Sequence, residues 1–278
     1  MIARRRFAAG MLALPLIPRA ACAGGDPFAL AGSFEQGGIA RGQVPPGTTA
    51  LRLNGQPIDF AADGRFLIAF DRDAGPSAQV EAVLADGRTL QDPLAIAPRS
   101  WNISRLDRLP KIPLPSAEFE ARRPAELARI AAARTKQTGA QGWRQAFAWP
   151  ARGRISTLFG SQRIYAGEPG AYHSGIDIAL PTGTPVAAPA DGVVILAAEA
   201  PFTLEGNLLM LDHGLGLSSA FLHLSRIDVR EDAAVRQGQA IGAVGATGRA
   251  TGPHLHWGIS WRGARLDPLL VTGPMAPR

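Results

Sequence analysis

Apolar positions along the chain fall into two groups of short, strand-like runs, separated by a proline-rich stretch and one helical pattern. In the first group the runs lie at residues 50–53, 65–70 and 79–84, each beside Asn54-Gly55, Asp63-Gly64 or Asp86-Gly87. Asn-Gly and Asp-Gly supply the positive backbone dihedrals of tight hairpins, so this spacing predicts a small β-sandwich-like domain over residues 27–100.

Pro110, Pro113 and Pro115 then interrupt both strand and helix, which makes residues 106–115 an extended linker. Residues 124–134 predict a helix, with Pro124 in its first turn, Glu126 near the positive end of its dipole, and Leu127, Ile130 and Ala131 on one face. The polar stretch 135–141, with Gly139, reads as a mobile loop, so 101–147 as a whole is a linker and helix.

From residue 148 to 278 the pattern returns to β, with runs at 191–197, 207–212, 217–223, 239–244 and 255–260 punctuated by glycines and no sustained helical period. The chain is therefore expected to be all-β, with a C-terminal antiparallel β-domain behind the smaller one. A length of 278 residues suits two domains.

The N-terminus changes this picture in three ways. Arg4-Arg5-Arg6, an apolar run from Phe7 to Ile17 and Ala21-Cys22-Ala23 follow the order of a secretory signal peptide over residues 1–23, with an apolar run too short to anchor in a bilayer. Arg4-Arg5-Arg6-Phe7 also suits a twin-arginine signal, and the general and twin-arginine routes both remain open. Either implies a periplasmic or otherwise extracytoplasmic protein.

Cys22, the only cysteine, has two readings: part of a cleaved leader, or a lipidated first residue that would tie the protein to a membrane. Arg19 stands where a lipid-attachment box carries an aliphatic residue, which favours cleavage after Ala23. The mature chain then has no thiolate, so any bound zinc must be held by nitrogen and oxygen. Removing Arg4, Arg5, Arg6 and Arg19 also lowers the formal charge from +6 to +2, which withdraws the main support for a nucleic-acid partner.

Four of the five histidines fall into three segments of the C-terminal half: His173-Ser174-Gly175-Ile176-Asp177, Phe221-Leu222-His223-Leu224 and Pro253-His254-Leu255-His256-Trp257. Residues two apart on a strand share a face, so His254 and His256 project together. Gly175 permits a turn that would leave His173 at a strand mouth and Asp177 on the strand 176–178. Two imidazoles and one carboxylate would leave a fourth zinc position for water, the arrangement of a hydrolase. The N-terminal domain has no histidine, and its roles as spacer, wall-docking module or active-site cover stay open.

The order His-x-x-x-Asp, then Phe-Leu-His-Leu-Ser, then Gly-Pro-His-Leu-His-Trp resembles the lysostaphin/LytM-type zinc metallopeptidases over residues 150–268. Gly183-Thr184-Pro185-Val186, Ala190-Asp191-Gly192-Val193-Val194 and Asp212-His213-Gly214 resemble that family too. The resemblance implies an endopeptidase that cuts peptide cross-links of bacterial peptidoglycan, with zinc-bound water as nucleophile. It makes His173, Asp177 and His256 the ligands of one Zn2+, with His223 and His254 as catalytic residues beside the water. Wall-synthesis or division machinery are possible partners.

The same resemblance gives His213 no zinc, so a structural hydrogen bond is its expected role, and it places Asn207 near the cleft as a substrate contact. Two other readings compete. A non-catalytic envelope regulator could activate a wall amidase, although the complete ligand set argues against it. Ala188–Val194 and Gly238–Gly242 also resemble pieces of biotinyl or lipoyl carriers, but the only lysines, Lys111 and Lys136, lie outside those stretches. The helix and loop over residues 124–141 are expected to pack near the cleft and cover it.

Overall fold

The computed structural model describes residues 26–107, 116–198 and 200–275; the leader with Cys22, and the prolines at 110, 113 and 115, lie outside them. It is built mainly of β-strands, with two α-helices, α1 (Ala117–Thr135) and α2 (Pro268–Thr272).

In the N-terminal domain, Ala31–Gly32, Ile39–Gln43 and Arg65–Ala69 form one antiparallel sheet, while Gln56–Ile58, Thr48–Leu53, Ser77–Leu84 and Thr89–Ala95 form another. The strand Ser77–Leu84 shows the alternation that a half-buried strand needs: Ala78, Val80, Ala82 and Leu84 are buried and their neighbours are not. Asn54 and Gly55 both adopt positive φ, 49° and 77°, in the turn expected of them.

The main C-terminal sheet has the order Ala234–Val235, Gly192–Ala197, Asn207–Gly214, Leu217–Leu224, His254–Trp261, Ile176–Ala179 and Arg154–Thr157, with every neighbouring pair antiparallel. Its strand Asn207–Gly214 is apolar on both faces because both are covered. Leu209 and Leu211 face the main core, whereas Leu208 and Met210 face Ile130 and Ala133 of α1.

That helix departs from expectation. It begins at Ala117, capped by the Ser116 hydroxyl, which accepts from the Phe119 amide at 3.1 Å, and carries Pro124 in its interior. The position is exposed, so the Glu120 carbonyl left without its helical donor can be hydrated. Its buried residues are Glu126, Ile130 and Ala133, while Leu127 is 49% exposed and Ala131 is exposed. Arg123 and Glu126 share the inward face with Ile130 and Ala133, a mixture that a hydrophobic period does not register.

The stretch 135–141 is anchored, since both the amide and the hydroxyl of Thr138 donate to Asp212. Beyond it, Gly142–Arg144 forms a 3-10 turn that buries Trp143. Within the expected linker, Ile103–Leu106 forms a strand parallel to Gln162–Tyr165 of the C-terminal domain. Helix α2, capped by Asp267, escaped the sequence reading because five residues are too few to show a period.

The two domains are packed against each other. One contiguous core runs from Phe28 to Leu266, Arg41 donates to the Trp143 carbonyl at 2.9 Å, and Arg99 pairs with buried Asp267 at 2.8 Å.

Candidate metal centre

Strand register brings the three histidine segments together. His256 lies opposite Asp177 and His254 opposite Ala179 across one antiparallel pair, and Leu222 lies opposite His256 across the other. The side chains of His254 and His256 therefore share a face with Asp177, as their spacing implied.

The result is a tight triangle. Asp177 Oδ1 is 2.9 Å from His173 Nε2 and 2.9 Å from His256 Nδ1, and those two nitrogens are 3.0 Å apart. Among the described residues, His173, Asp177 and His256 form a group able to hold a metal ion. Their side chains are 19%, 15% and 11% exposed, so the triangle is sheltered yet reachable from solvent.

The remaining hydrogen bonds set the tautomers. His173 Nδ1 meets the Leu158 carbonyl at 3.2 Å, and a carbonyl can only accept, so the proton sits on Nδ1 and Nε2 presents a lone pair to the triangle. By the same reasoning His223 Nδ1 donates to Thr247 O at 2.8 Å and His254 Nδ1 to Gly252 O at 2.8 Å. Both leave Nε2 as a lone-pair atom. The His254 Nε2 lies 3.8 Å from Asp177 Oδ1, and the His223 ring is 4.8 Å from that of His254 and 6.4 Å from that of His256.

Electrostatics sharpen these roles. Burial works against the Asp177 carboxylate, but wherever the facing nitrogens of His173 and His256 carry protons, their hydrogen bonds and charge outweigh it and hold that carboxyl well below the usual range. Burial pushes His256 down and carries His223 down to about 4, so His223 is neutral at physiological pH.

Gly175 lets the segment close this tightly. A Cβ there would stand 2.4 Å from the Trp257 carbonyl and 2.7 Å from His256 Nε2. His223 has a left-handed backbone, φ 64°, which a non-glycine residue adopts only when its surroundings hold it there.

Two other expectations meet the structure here. His213 is fully buried; its Nδ1 donates to Asp191 O and its Nε2 accepts from the Ser219 hydroxyl, each at 2.8 Å, as a structural histidine should. Asn207 braces the site: its side-chain amide donates to Leu224 O at 2.8 Å and its backbone amide to the Thr247 hydroxyl at 2.9 Å.

The cover expected over residues 124–141 divides in two. Helix α1 packs on residues 201–205, next to the end of the Leu217–Leu224 strand that carries His223, through Arg123, Glu126 and Arg122. The stretch 135–141 instead packs beside Asp212 and Gly214, at the far end of the Asn207–Gly214 strand. That strand of eight residues is about 25 Å long, too long for the stretch to cover the cleft.

Residues 171–268 match Peptidase family M23. The peptidoglycan DD-endopeptidase ShyA of Vibrio cholerae is 40% identical over 124 residues, which cover 44% of this chain and 28% of ShyA. The DD-carboxypeptidase/endopeptidase Mpg of Neisseria meningitidis is 40% identical over 121 residues, covering 44% of this chain and 27% of Mpg. The chain thus spans only about a quarter of the length of these relatives. A solved Pseudomonas aeruginosa structure assigned to peptidase M23 aligns with a TM-score of 0.67 at 29% identity, covering 87% of this chain and 96% of that one. Its match reaches well beyond residues 171–268 into the N-terminal half. Residues 171–268 are a Peptidase family M23 domain, and the histidine–aspartate triangle lies within it.

Proposed function

We propose that this protein is an exported, zinc-dependent endopeptidase that hydrolyses peptide cross-links of bacterial peptidoglycan. One observation carries the reading: two imidazole nitrogens and a carboxylate oxygen converge at 2.9–3.0 Å, beside two further imidazoles of fixed tautomer.

Zinc suits the donor set. Bonds of about 2.0–2.1 Å at tetrahedral angles put neighbouring donors about 3.3 Å apart, close to the spacing of this triangle. Nitrogen and oxygen donors on two separate chain segments are what a cysteine-free site has to offer. When bound, zinc supplies a Lewis acid that polarises the scissile carbonyl and acidifies a water molecule.

The protein's own groups supply the rest. His223 and His254 face the triangle with Nε2 lone pairs, so either can take a proton at that atom and return it to the departing amine. The Nδ1–H bonds to Thr247 O and Gly252 O stop the rings from turning and stabilise the positive charge each ring acquires when its Nε2 is protonated. The relatives' activity on peptidoglycan supports the substrate class, and the signal-like leader supports action outside the cytoplasm.

Mass analysis of fragments released from purified sacculi by the zinc-loaded protein tests this directly. New peptide ends are expected, with none released by His256→Ala. No fragments from either protein would overturn the proposal, and stimulation of a wall amidase without hydrolysis would point to an envelope regulator instead.

A further inference from the structure

A second cluster of sheltered charge joins α1 to residues 201–206. Arg123 donates to both oxygens of Glu205, at 2.6 and 2.8 Å, and approaches Glu126 at 3.4 Å. Glu126 accepts from the amide and hydroxyl of Thr203 at 2.7 and 2.6 Å, and Arg122 donates to Pro201 O at 2.6 Å. Glu126 and Glu205 are both buried. The turn itself is closed by reciprocal backbone bonds between Phe202 and Gly206.

From that turn, contacts lead into the candidate site. The Glu205 carbonyl accepts from the His223 amide at 2.8 Å, and the Leu204 carbonyl accepts from the Arg249 amide at 3.0 Å. Gly206, at φ 66°, lies so close to Thr247 that a Cβ would come within 2.3 Å of its hydroxyl, and Thr247 O is the acceptor that fixes the His223 ring.

An apolar contact would hold α1 in place without the desolvation cost that a sheltered ion pair carries. What a bidentate guanidinium–carboxylate pair adds is direction. The residue at the end of this chain of contacts is His223, whose backbone φ is one that needs holding.

We propose that the Arg123–Glu205 pair is a positioning device for His223, by which α1, upstream of the family-matching residues 171–268, sets the geometry of the candidate site. Through Glu205 the pair fixes the His223 backbone, and through Gly206 and Thr247 it fixes the ring. The inference rests on the endopeptidase reading only where activity is its readout.

The test compares the full chain with Arg123→Ala, Arg123→Lys and Glu205→Gln, the latter two serving if the alanine variant does not fold. Histidine ring signals in metal-free protein, zinc content after loading, and kcat and KM for peptide release are measured. The His223 signal is expected to move or broaden while that of His213 stays, with zinc content unchanged. A fall in kcat of about tenfold or more with little change in KM should accompany it. Arg123→Lys, which keeps the charge and loses the fork, should fall between. An unmoved His223 signal with unchanged kcat would overturn the proposal, as would loss of zinc or movement of His213 together with His223, which would signify general loosening. If the unaltered protein releases no peptides, the endopeptidase reading fails and the histidine signals alone decide the clamp.

Discussion

Arg72, in the N-terminal domain, holds its guanidinium 4.7 Å from the centre of the Tyr172 ring, one residue before His173. The same guanidinium donates to Gly160 O at 3.2 Å and to Gln162 Oε1 at 3.1 Å, and Gly160 in turn donates its amide to His173 O at 2.9 Å. The N-terminal domain thus supports the backbone that presents one of the three triangle donors. Arg72→Ala is expected to lower the melting temperature and to weaken zinc binding about tenfold or more in competition with a chelator. Arg72→Lys should not restore it, because an ammonium reproduces neither the fork nor the stacking. Wild-type zinc affinity in Arg72→Ala would show the contact to be dispensable.

Triangle and flanking histidines should separate experimentally. Asp177→Asn and His256→Ala are expected to lose both zinc and activity, each more than about 100-fold. His254→Ala should keep its zinc and lower kcat by about 100-fold or more, the loss typical of a missing proton-transfer group. Zinc content measured beside peptide release decides between the roles. Loss of metal in His254→Ala would move that residue into the ligand set.

Gly175→Ala tests the close approach of the two donor strands. The added Cβ would press on the Trp257 carbonyl and on His256 Nε2, so either the His173–Asp177 segment or the His256 ring must shift. Weakened zinc binding is expected in a protein that still folds, because the crowding is local. Full zinc affinity in this variant would mean that the segment has slack the structure does not show.

Much of the site was legible in the sequence because strand periodicity is a rigid rule. Spacing put His254 and His256 on one face and Asp177 on a strand, but which of the two histidines joins His173 and Asp177 came from the family resemblance, because both share that face. Its supports were not legible. Arg72 and Arg123 act through contacts 88 and 82 residues away, and no local pattern marks a buried arginine as different from a solvated one. Helix α1 was misjudged for the same reason, since Glu126 counts as polar in any hydrophobic period yet points inward to Thr203. The left-handed backbone of His223 was likewise invisible, because nothing about a histidine in an apolar run announces it.

His213 should make the fold acid-sensitive in a way separable from the metal centre. Burial pushes it down to about 4 from an ordinary value of 6.5, against the smaller opposing effects of the Asp191 carbonyl and the Asp191 and Asp212 charges. A depressed histidine leaves the unfolded chain binding more protons than the folded one between those two values. Its stabilisation is therefore fully present above about pH 6.5 and is lost progressively as pH falls towards 4. The loss is on the order of 3 kcal/mol. Protonation would also turn Nε2 from acceptor to donor and break its bond from the Ser219 hydroxyl. Urea unfolding of metal-free protein at pH 7 and pH 4.5 measures the effect, with His213→Gln as the comparison. The variant should be less stable at pH 7, having lost the ring that packs against Phe147, but its stability should fall less between the two pH values. Parallel losses in both proteins would assign the acid sensitivity to other groups.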